Sequence, residues 1–208
     1  MYVAIAGNIG VGKSSLTRIL SDRYALEPIF EAVDDNPYLP DFYRDMKRWA
    51  FHSQMFFLAE RLRQHLRQVN PGERVIQDRT VYEDAAVFAR NLWQEGILSG
   101  RDHDAYRRMY EAIAATLRPP DLLVYLRASV STLKERIDLR GRAYESDIAE
   151  SYLARLNELY DAFVASYDLS RTVVLPADEL DFVRSDRDRR RTFELLEPHG
   201  LVPPLVRS

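Results

Sequence analysis

The most informative part of the chain is Val3-Ala4-Ile5-Ala6-Gly7-Asn8-Ile9-Gly10-Val11-Gly12-Lys13-Ser14. Its apolar beginning is typical of a strand buried on both faces of a parallel sheet. The rest matches the pattern G-x-x-x-x-G-K-[ST], and a helix is predicted to follow from about Lys13 to Tyr24. Glycines at such a turn let backbone N–H groups point at phosphate oxygens. The segment therefore predicts a P-loop that binds a nucleoside triphosphate.

Two side chains of this loop carry specific chemistry. Lys13 can reach the β- and γ-phosphates, and the Ser14 hydroxyl can ligate Mg²⁺. We therefore expect ATP or another triphosphate, with Mg²⁺, at this end of the chain. The residues predicted to contact the triphosphate here are Gly7, Asn8, Ile9, Gly10, Val11, Gly12, Lys13, Ser14 and Ser15.

Further apolar runs alternate with helical segments along the chain. Strands are predicted at 3–6, 26–33, 74–77, 122–126 and 172–175. Helices are predicted at 13–24, 48–69, 82–93, 103–117, 130–139, 148–167 and 184–196. This alternation indicates an α/β fold, a three-layer P-loop sandwich whose parallel five-stranded sheet is flanked by helices. Because no linker or repeat interrupts the pattern, we expect a single domain over 1–208.

Composition narrows the classes of function. The 208 residues carry a net charge of −3, from 29 basic and 32 acidic side chains, and no cysteine. A protein that coats nucleic acid usually has a basic excess, so no nucleic-acid partner is expected. The lack of cysteine excludes thiol nucleophiles and cysteine-bound metals. No apolar run reaches the roughly 20 residues that span a bilayer, and the N-terminus lacks the features of a signal peptide. We expect a cytoplasmic protein without a membrane partner.

A P-loop alone does not distinguish a kinase from an ATPase or a switch protein. The Asn-Lys-x-Asp motif of GTPases is missing from the sequence, and Asp138-Leu139-Arg140-Gly141 matches D-x-x-G only at a predicted helix end. Asp78 and Arg79, at the end of a predicted strand, suit phosphoryl transfer to a small acceptor. Asp78 can hold Mg²⁺ directly or through water, and Arg79 can stabilise charge on the transferred group. The alternative is a surface ion pair.

Several motifs, in order along nearly the whole chain, resemble those of the deoxyribonucleoside kinases, the family of deoxycytidine, deoxyguanosine and deoxyadenosine kinases. Beside the P-loop they are Phe30-Glu31 with Asp34-Asp35-Asn36-Pro37, Phe51-x-x-Gln54 with Arg61, Asp78-Arg79-Thr80-Val81-Tyr82-x-Asp84, and Arg136-Ile137-x-x-Arg140-Gly141-Arg142-x-x-Glu145. The resemblance implies transfer of a phosphoryl group from ATP to the 5′-hydroxyl of a deoxyribonucleoside, giving the monophosphate for nucleotide salvage.

The resemblance also implies the catalytic residues: Glu31, Asp78 and Arg79. The general base is Glu31 or Asp78, with Glu31 favoured, and the metal is held by Ser14 and Asp78. The chain departs from the family pattern in two places. Ala32 stands where many relatives have proline, and Asp78 stands where several have glutamate.

The acceptor pocket follows from the same comparison. Gln54 and Arg61 fall on one helix face, and with Asp84 they are expected to read the base, on which Phe88 stacks. Tyr43 and Glu145 are expected to bind the sugar 3′-hydroxyl, and Leu39, Phe42 and Trp49 to line the pocket. Glu31 and Arg79 complete the set of predicted substrate contacts.

An arginine-rich lid is implied for the donor side. Arg136 and Arg140 lie one turn apart on a predicted helix, and together with Arg142 they are expected to close over the triphosphate. Asp181 and Phe182 are expected to hold the adenine of the donor.

The short N-terminus and the stretch Asp34 to Tyr38 resemble bacterial deoxyadenosine/deoxyguanosine kinases, which favours purine deoxynucleosides, with a deoxycytidine-preferring or broad enzyme as the alternative. A nucleoside monophosphate kinase and a non-catalytic nucleotide-sensing module remain rival hypotheses. A homodimer is expected by analogy with the family.

Overall fold

A computed structural model describes residues 1–31, 35–142, 145 and 148–203. Its centre is a parallel five-stranded sheet in the order β2-β3-β1-β4-β5. The strands are β1 (Tyr2–Gly7), β2 (Glu27–Ile29), β3 (Val75–Asp78), β4 (Leu122–Arg127) and β5 (Arg171–Pro176). The predicted α/β sandwich is confirmed, since each predicted strand is present and helices flank the sheet.

Burial along the strands follows their place in the sheet. The central strand β1 is buried at every position, which explains why its sequence is a continuous apolar run. The edge strand β2 has only three residues. Pro28 lies in its middle, and proline is confined to edge strands because it lacks an N–H. The strand ends at Ile29, so its predicted continuation over 30–31 is wrong. Residues 32–33, with Ala32 and the neighbouring Asp34, lie outside the described residues.

Helices occupy both faces of the sheet. They are α1 (Lys13–Tyr24), α2 (Leu39–Arg44), α3 (Met46–Gln64), α4 (Val81–Glu83), α5 (Arg90–Gln94), α6 (Gly100–Ala114), α7 (Val130–Arg140), α8 (Glu150–Ser166) and α9 (Asp186–Leu196). A π-helical segment, His65–Val69, continues α3, and a second, Asp84–Ala89, joins α4 to α5. Helix α2 was not predicted, and α6 begins three residues earlier than predicted because Ser99 caps it by accepting from the Asp102 N–H.

The carboxyl ends of β1, β2 and β3 bring the predicted catalytic residues to one edge of the sheet. Gly7 ends β1, Glu31 follows β2, and Asp78 ends β3, where it is paired in register with Ile5. Ligands of open parallel sheets bind outside this edge. Within the described ranges, no helix is long and apolar enough to cross a membrane.

Candidate active site

The P-loop lies between β1 and α1 and depends on glycine backbone conformations. The angle φ is +144° at Gly7, +81° at Gly10 and +105° at Gly12, which L side chains rarely adopt. A Cβ atom added at Gly10 would lie 2.7 Å from Ile137 Cγ1 and 2.9 Å from the Leu133 carbonyl oxygen. Gly10 therefore lets the loop lie directly against α7, the helix that carries the predicted lid arginines.

Lys13 is the buried cation of this loop. Its Nζ donates to the Gly7 carbonyl at 2.8 Å and to the Asn8 carbonyl at 2.9 Å. Burial, helped by the charge of Arg79, lowers the pKa of Lys13 to about 8. The carbonyl groups thus hold the ammonium group at the base of the loop.

The predicted triphosphate residues divide into two groups. Ile9, Gly10, Gly12, Lys13, Ser14 and Ser15 line a cavity, whereas Gly7, Asn8 and Val11 lie behind it. Asn8 Nδ2 donates to the Leu153 carbonyl at 2.9 Å and to Asn157 Oδ1 at 2.8 Å. Its side chain therefore fixes the loop to α8, and its Oδ1 also accepts from the Ile9 N–H at 2.7 Å.

Ser14 and Asp78 form the predicted metal site. Ser14 Oγ donates to Asp78 Oδ2 at 2.5 Å, and Asp78 Oδ1 is buried without a hydrogen-bond partner among the described residues. Burial raises the pKa of Asp78, and the charge of Lys13 opposes that rise. A hydroxyl and a carboxylate with an unused oxygen are suited to Mg²⁺, which usually takes one or two carboxylates besides phosphate oxygens and water.

Glu31 lies between two arginines. Its Oε1 accepts from Arg61 Nη2 at 2.6 Å and lies 3.4 Å from Arg79 Nη1. Burial alone would raise the pKa of Glu31, but Arg79 and Arg61 outweigh burial and lower the pKa to about 2. Glu31 is therefore a carboxylate at neutral pH.

Arg79 has the backbone conformation of a glycine. Its φ is +66°, which is unusual for a residue with a long side chain that directly follows a strand. The guanidinium carbon lies 4.3 Å from the centroid of the Phe88 ring, a cation–π contact. Phe88 also lines the cavity. Its stacking on a base stays a prediction, and it concerns the part of the ring that Arg79 does not cover.

Arg61 and Asp84 form a buried pair rather than a surface salt bridge. Arg61 Nε donates to Asp84 Oδ2 at 3.0 Å, and the two side chains are 3 % and 5 % exposed. Burial raises the pKa of Asp84, and Arg61 opposes that rise. Asp84 lines the cavity but Arg61 does not. Arg61 therefore binds the two cavity-lining carboxylates, Asp84 and Glu31, from the side that faces away from the cavity.

The cavity has a volume of about 760 Å³ and extends from the P-loop to the acceptor side. Its acceptor side is lined by Glu31, Leu39, Phe42, Tyr43, Gln54, Phe57, Arg79, Asp84, Phe88 and Glu145. Gln54 Oε1 is buried without a hydrogen-bond partner among the described residues, which makes it available to a nucleobase. Trp49, expected to line the pocket, instead stacks on Tyr38 with a ring-centroid distance of 5.7 Å.

Two lid arginines meet the predicted sugar-binding carboxylate. Arg140 Nη2 donates to Glu145, and Arg142 Nη1 lies 3.6 Å from Glu145 Oε1. Arg136 donates from its two Nη atoms to the Val11 and Ala177 carbonyls, each at 2.8 Å. All three arginines line the cavity, and their contact with a triphosphate stays a prediction.

The predicted adenine loop borders the same cavity. Phe182 is buried, and its ring lies 3.4 Å from the position that a Cβ at Gly12 would take. Asp181 is exposed and its Oδ1 accepts from the Arg184 N–H at 3.0 Å, so its carboxylate shapes the turn. Both residues line the cavity.

Ser53 and Tyr152 line the cavity as well, and the sequence did not single them out. Ser53 is buried, and its Oγ accepts from Asn36 Nδ2 at 3.1 Å. Ser53 lies inside the Phe51-x-x-Gln54 motif, so its place beside Gln54 was the available signal. Tyr152 on α8 lies outside every motif. Burial raises the pKa of Tyr152 to about 12, so its hydroxyl keeps its proton.

Comparison with known proteins places this site in a family. The family model for deoxynucleoside kinases matches residues 3–199. The chain belongs to the deoxynucleoside kinase family. The resemblance read from the ordered motifs is thereby confirmed, and with it an ATP-dependent kinase activity.

Characterised members of the deoxynucleoside kinase family are similar along most of the chain. A deoxyadenosine/deoxycytidine kinase of Bacillus subtilis is 34% identical, over 88% of this chain and 86% of its own length. A deoxyguanosine kinase of Lactobacillus acidophilus is 37% identical, over 90% and 85%.

Solved structures are similar too. Deoxyadenosine kinase from M. mycoides, with the products dCMP and a flexible dCDP bound, superposes with a TM-score of 0.84 at 32% identity, covering 95% of this chain and all of that one. The same enzyme with dATP bound gives a TM-score of 0.83 at 32% identity, over 95% of this chain and 99% of that one.

Proposed function

We propose that this kinase transfers the γ-phosphoryl group of ATP, or of another nucleoside triphosphate, to the 5′-hydroxyl of a deoxyribonucleoside and so supplies the monophosphate for salvage. The observation that carries the proposal is the position of Glu31. Its carboxylate lies between Arg61 and Arg79 and borders a cavity that continues to the P-loop. In this proposal Glu31 accepts the hydroxyl proton, and the Arg79 guanidinium group beside it stabilises charge on the transferred group.

Glu31 acts as the general base in this proposal. A carboxylate with a pKa of about 2 is a weak base, but a loose transition state for phosphoryl transfer demands little proton removal before the bond to phosphorus forms. Asp78 is the alternative base. Its hydrogen bond with Ser14 favours the metal role for Asp78 and leaves the hydroxyl proton to Glu31.

Arg79 and the donor-side cations stabilise charge on the transferred group. Lys13 and the backbone N–H groups of the P-loop bind the phosphates, and Arg136, Arg140 and Arg142 close over them. Mg²⁺ would be held by Ser14 and Asp78. When bound, the ion neutralises charge on the β- and γ-phosphate oxygens.

Purine deoxynucleosides are the favoured acceptors, with deoxycytidine as the alternative. Gln54 offers a donor and an acceptor on one edge, and Asp84, held by Arg61, offers an acceptor to an exocyclic amine. The similar proteins named above are kinases of deoxyadenosine, deoxycytidine or deoxyguanosine, which supports this choice. Tyr43 and Glu145 bind the sugar 3′-hydroxyl in this proposal.

We also propose that the chain folds as a single domain and that the enzyme is located in the cytoplasm. We further propose that it forms a homodimer. Support for the dimer comes from α6, which buries only Tyr106 along its length. Met109 on α6 and Leu66 on the π-helical extension of α3 are each about half exposed. A mass for the native protein in solution that corresponds to two chains is the expected result, and light scattering measures it.

The activity is tested by incubating the enzyme with ATP, Mg²⁺ and each of the four deoxynucleosides in turn and measuring the ADP that is released. We expect turnover of deoxyadenosine and deoxyguanosine, with deoxycytidine weaker. A monophosphate kinase would instead use the deoxynucleoside monophosphates alone. No turnover of any nucleoside would contradict the proposal. A sensing module is favoured if Glu31 and Asp78 variants keep its response while Lys13→Ala loses it.

A further inference from the structure

Glu83 is a buried carboxylate that lies beside the active site without lining its cavity. Its side chain is 0% exposed. One oxygen, Oε2, accepts from the Gly7 N–H at 3.2 Å and from the Tyr160 hydroxyl at 2.8 Å. The other, Oε1, accepts from the Thr80 N–H at 2.9 Å and from the Thr80 hydroxyl at 3.4 Å. The carboxylate thus joins the end of β1, the turn after β3, and α8.

All four of these partner groups donate to Glu83, which an ionised carboxylate can satisfy because it only accepts. Burial raises the pKa of Glu83, and Arg79 and Lys13 oppose that rise. A glutamine at this position would turn its own N–H₂ group toward the Gly7 N–H or the Thr80 N–H. The site therefore requires a carboxylate more strictly than the helix cap of α4 alone would.

The two backbone groups that Glu83 holds are next to the groups that act on phosphate. Gly7 begins the P-loop, and its carbonyl accepts from Lys13. Thr80 follows Arg79, whose φ of +66° is costly for a residue other than glycine. This turn is fixed on both sides, because the Arg79 N–H donates to the Ile5 carbonyl at 3.0 Å and the Thr80 N–H donates to Glu83.

We propose that Glu83 is a positioning residue that fixes the P-loop and the Arg79 turn relative to each other. In doing so it aligns the donor phosphates with the Arg79 guanidinium group. The inference rests on the proposed roles of the P-loop and Arg79. A guanidinium group that is slightly displaced loses its transition-state contact before substrates lose their ground-state contacts, so turnover suffers more than binding.

The first test compares Glu83→Gln with the wild-type enzyme. We expect kcat to fall at least tenfold, whereas KM for ATP and KM for the deoxynucleoside change less than threefold. Ser99→Ala is the matched control, since it removes a helix cap at α6 away from the cavity, and its kcat should stay within twofold of wild type. A folded Glu83→Gln enzyme with kcat within twofold of wild type overturns the inference.

The second test separates positioning from a general loss of stability. If Glu83 acts through Arg79, its effect should be small once Arg79 has been replaced, because the effects of coupled residues are not additive. The double variant Glu83→Gln/Arg79→Lys should then have a kcat less than threefold below that of Arg79→Lys alone. An equal fold-loss in the two backgrounds overturns the inference. If Glu83→Gln fails to fold, Tyr160→Phe removes one donor to Oε2, and at least a threefold fall in kcat is expected; an unchanged kcat overturns the inference.

Amide hydrogen exchange gives a readout that is independent of activity. Glu83→Gln should accelerate exchange at Gly7 and Thr80 while the middle of β1 keeps its protection. If both amides of Glu83→Gln exchange as slowly as in the wild type, the inference is contradicted, even when no kinase turnover can be measured. Conversely, a wild-type enzyme that turns over no deoxynucleoside defeats the proposed function alone.

Discussion

At the scale of single residues, buried charges define the acceptor side. Asp84, Arg61, Glu31 and Arg79 form a continuous series of oppositely charged contacts. Removing one member leaves its partner buried and uncompensated, which is strongly destabilising in general. The sequence motifs identified these residues one by one. The pairing of Glu31 with both arginines was not predictable, because it depends on where helix α3 crosses the edge of the sheet.

Glu31→Gln tests the assignment of the base. We expect kcat to fall by about 10²- to 10⁴-fold, the usual range for loss of a general base, with a smaller change in KM for the deoxynucleoside. Glu27→Gln is the control, because Glu27 is an exposed glutamate on the preceding strand. If Glu31→Gln keeps most of its activity and Asp78→Asn loses it, the base is Asp78.

His65 gives the fold a pH dependence. Its Nε2 lies 2.9 Å from the Arg118 carbonyl, and burial lowers its pKa to about 4, below the usual 6.5. Between pH 6.5 and pH 4, His65 is therefore protonated in the unfolded chain but neutral in the folded chain. The free energy of unfolding has its full value above pH 6.5 and falls as the pH drops from 6.5 toward 4. Urea unfolding from pH 7.5 to pH 5 should show a steeper loss in wild type than in His65→Gln. The exposed His52→Gln serves as the control, and a parallel loss in wild type and His65→Gln would contradict this account.

At the scale of elements, the P-loop and α7 are packed so closely that Gly10 has no room for a side chain. Gly10→Ala places a methyl group against Ile137 and the Leu133 carbonyl, and overpacking of this kind costs about 1–3 kcal/mol. We expect a lower Tm and at least a tenfold higher KM for ATP. Gly100→Ala is the matched control because nothing lies within 4 Å of its added Cβ. Equal Tm and KM values for the two variants would show that the contact is unimportant.

Elements with strong periodicity were predictable, and those set by local context were not. The apolar runs of β1 and β4 identified these strands because both are buried in the middle of the sheet. Helix α2 was missed because it is six residues long, carries Pro40 in its first turn and follows a turn-like sequence. The π-helical segment Asp84–Ala89 leaves no mark in the hydrophobic pattern, yet it carries Asp84 and Phe88 to the cavity, as π-segments often do at functional sites.

At the scale of the whole molecule, the donor and acceptor sides share one cavity, and Glu145 connects them. Its carboxylate meets Arg140 and Arg142, whose predicted partner is the triphosphate, and it faces the predicted sugar site. The fold class and the composition of both sides were predictable from motifs in order. The ion pairs between lid and sugar site were not, because they depend on side-chain contacts that the motifs do not specify.

Glu145→Gln should therefore affect both substrates. We expect KM for the deoxynucleoside to rise about tenfold, the equivalent of about 1.4 kcal/mol. KM for ATP should change as well, since Arg140 and Arg142 lose the negative charge of Glu145. Initial rates over a matrix of both substrate concentrations measure the two constants. Arg127→Ala breaks an exposed ion pair with Asp161 and should leave both constants unchanged. A Glu145→Gln enzyme with a normal KM for ATP would show that the lid and the sugar site are independent.

The left-handed backbone of Arg79 has a consequence for protein engineering. A side chain in this conformation costs about 1–3 kcal/mol, which glycine avoids and asparagine reduces. A library of substitutions at position 79 that is screened for heat resistance alone should enrich glycine and asparagine over the other replacements. The same library screened for turnover should return arginine. Position 79 thus combines a backbone conformation that suits glycine with a buried ion pair to Glu31 that only a cation supplies, so replacement by glycine or asparagine removes one cost and adds another.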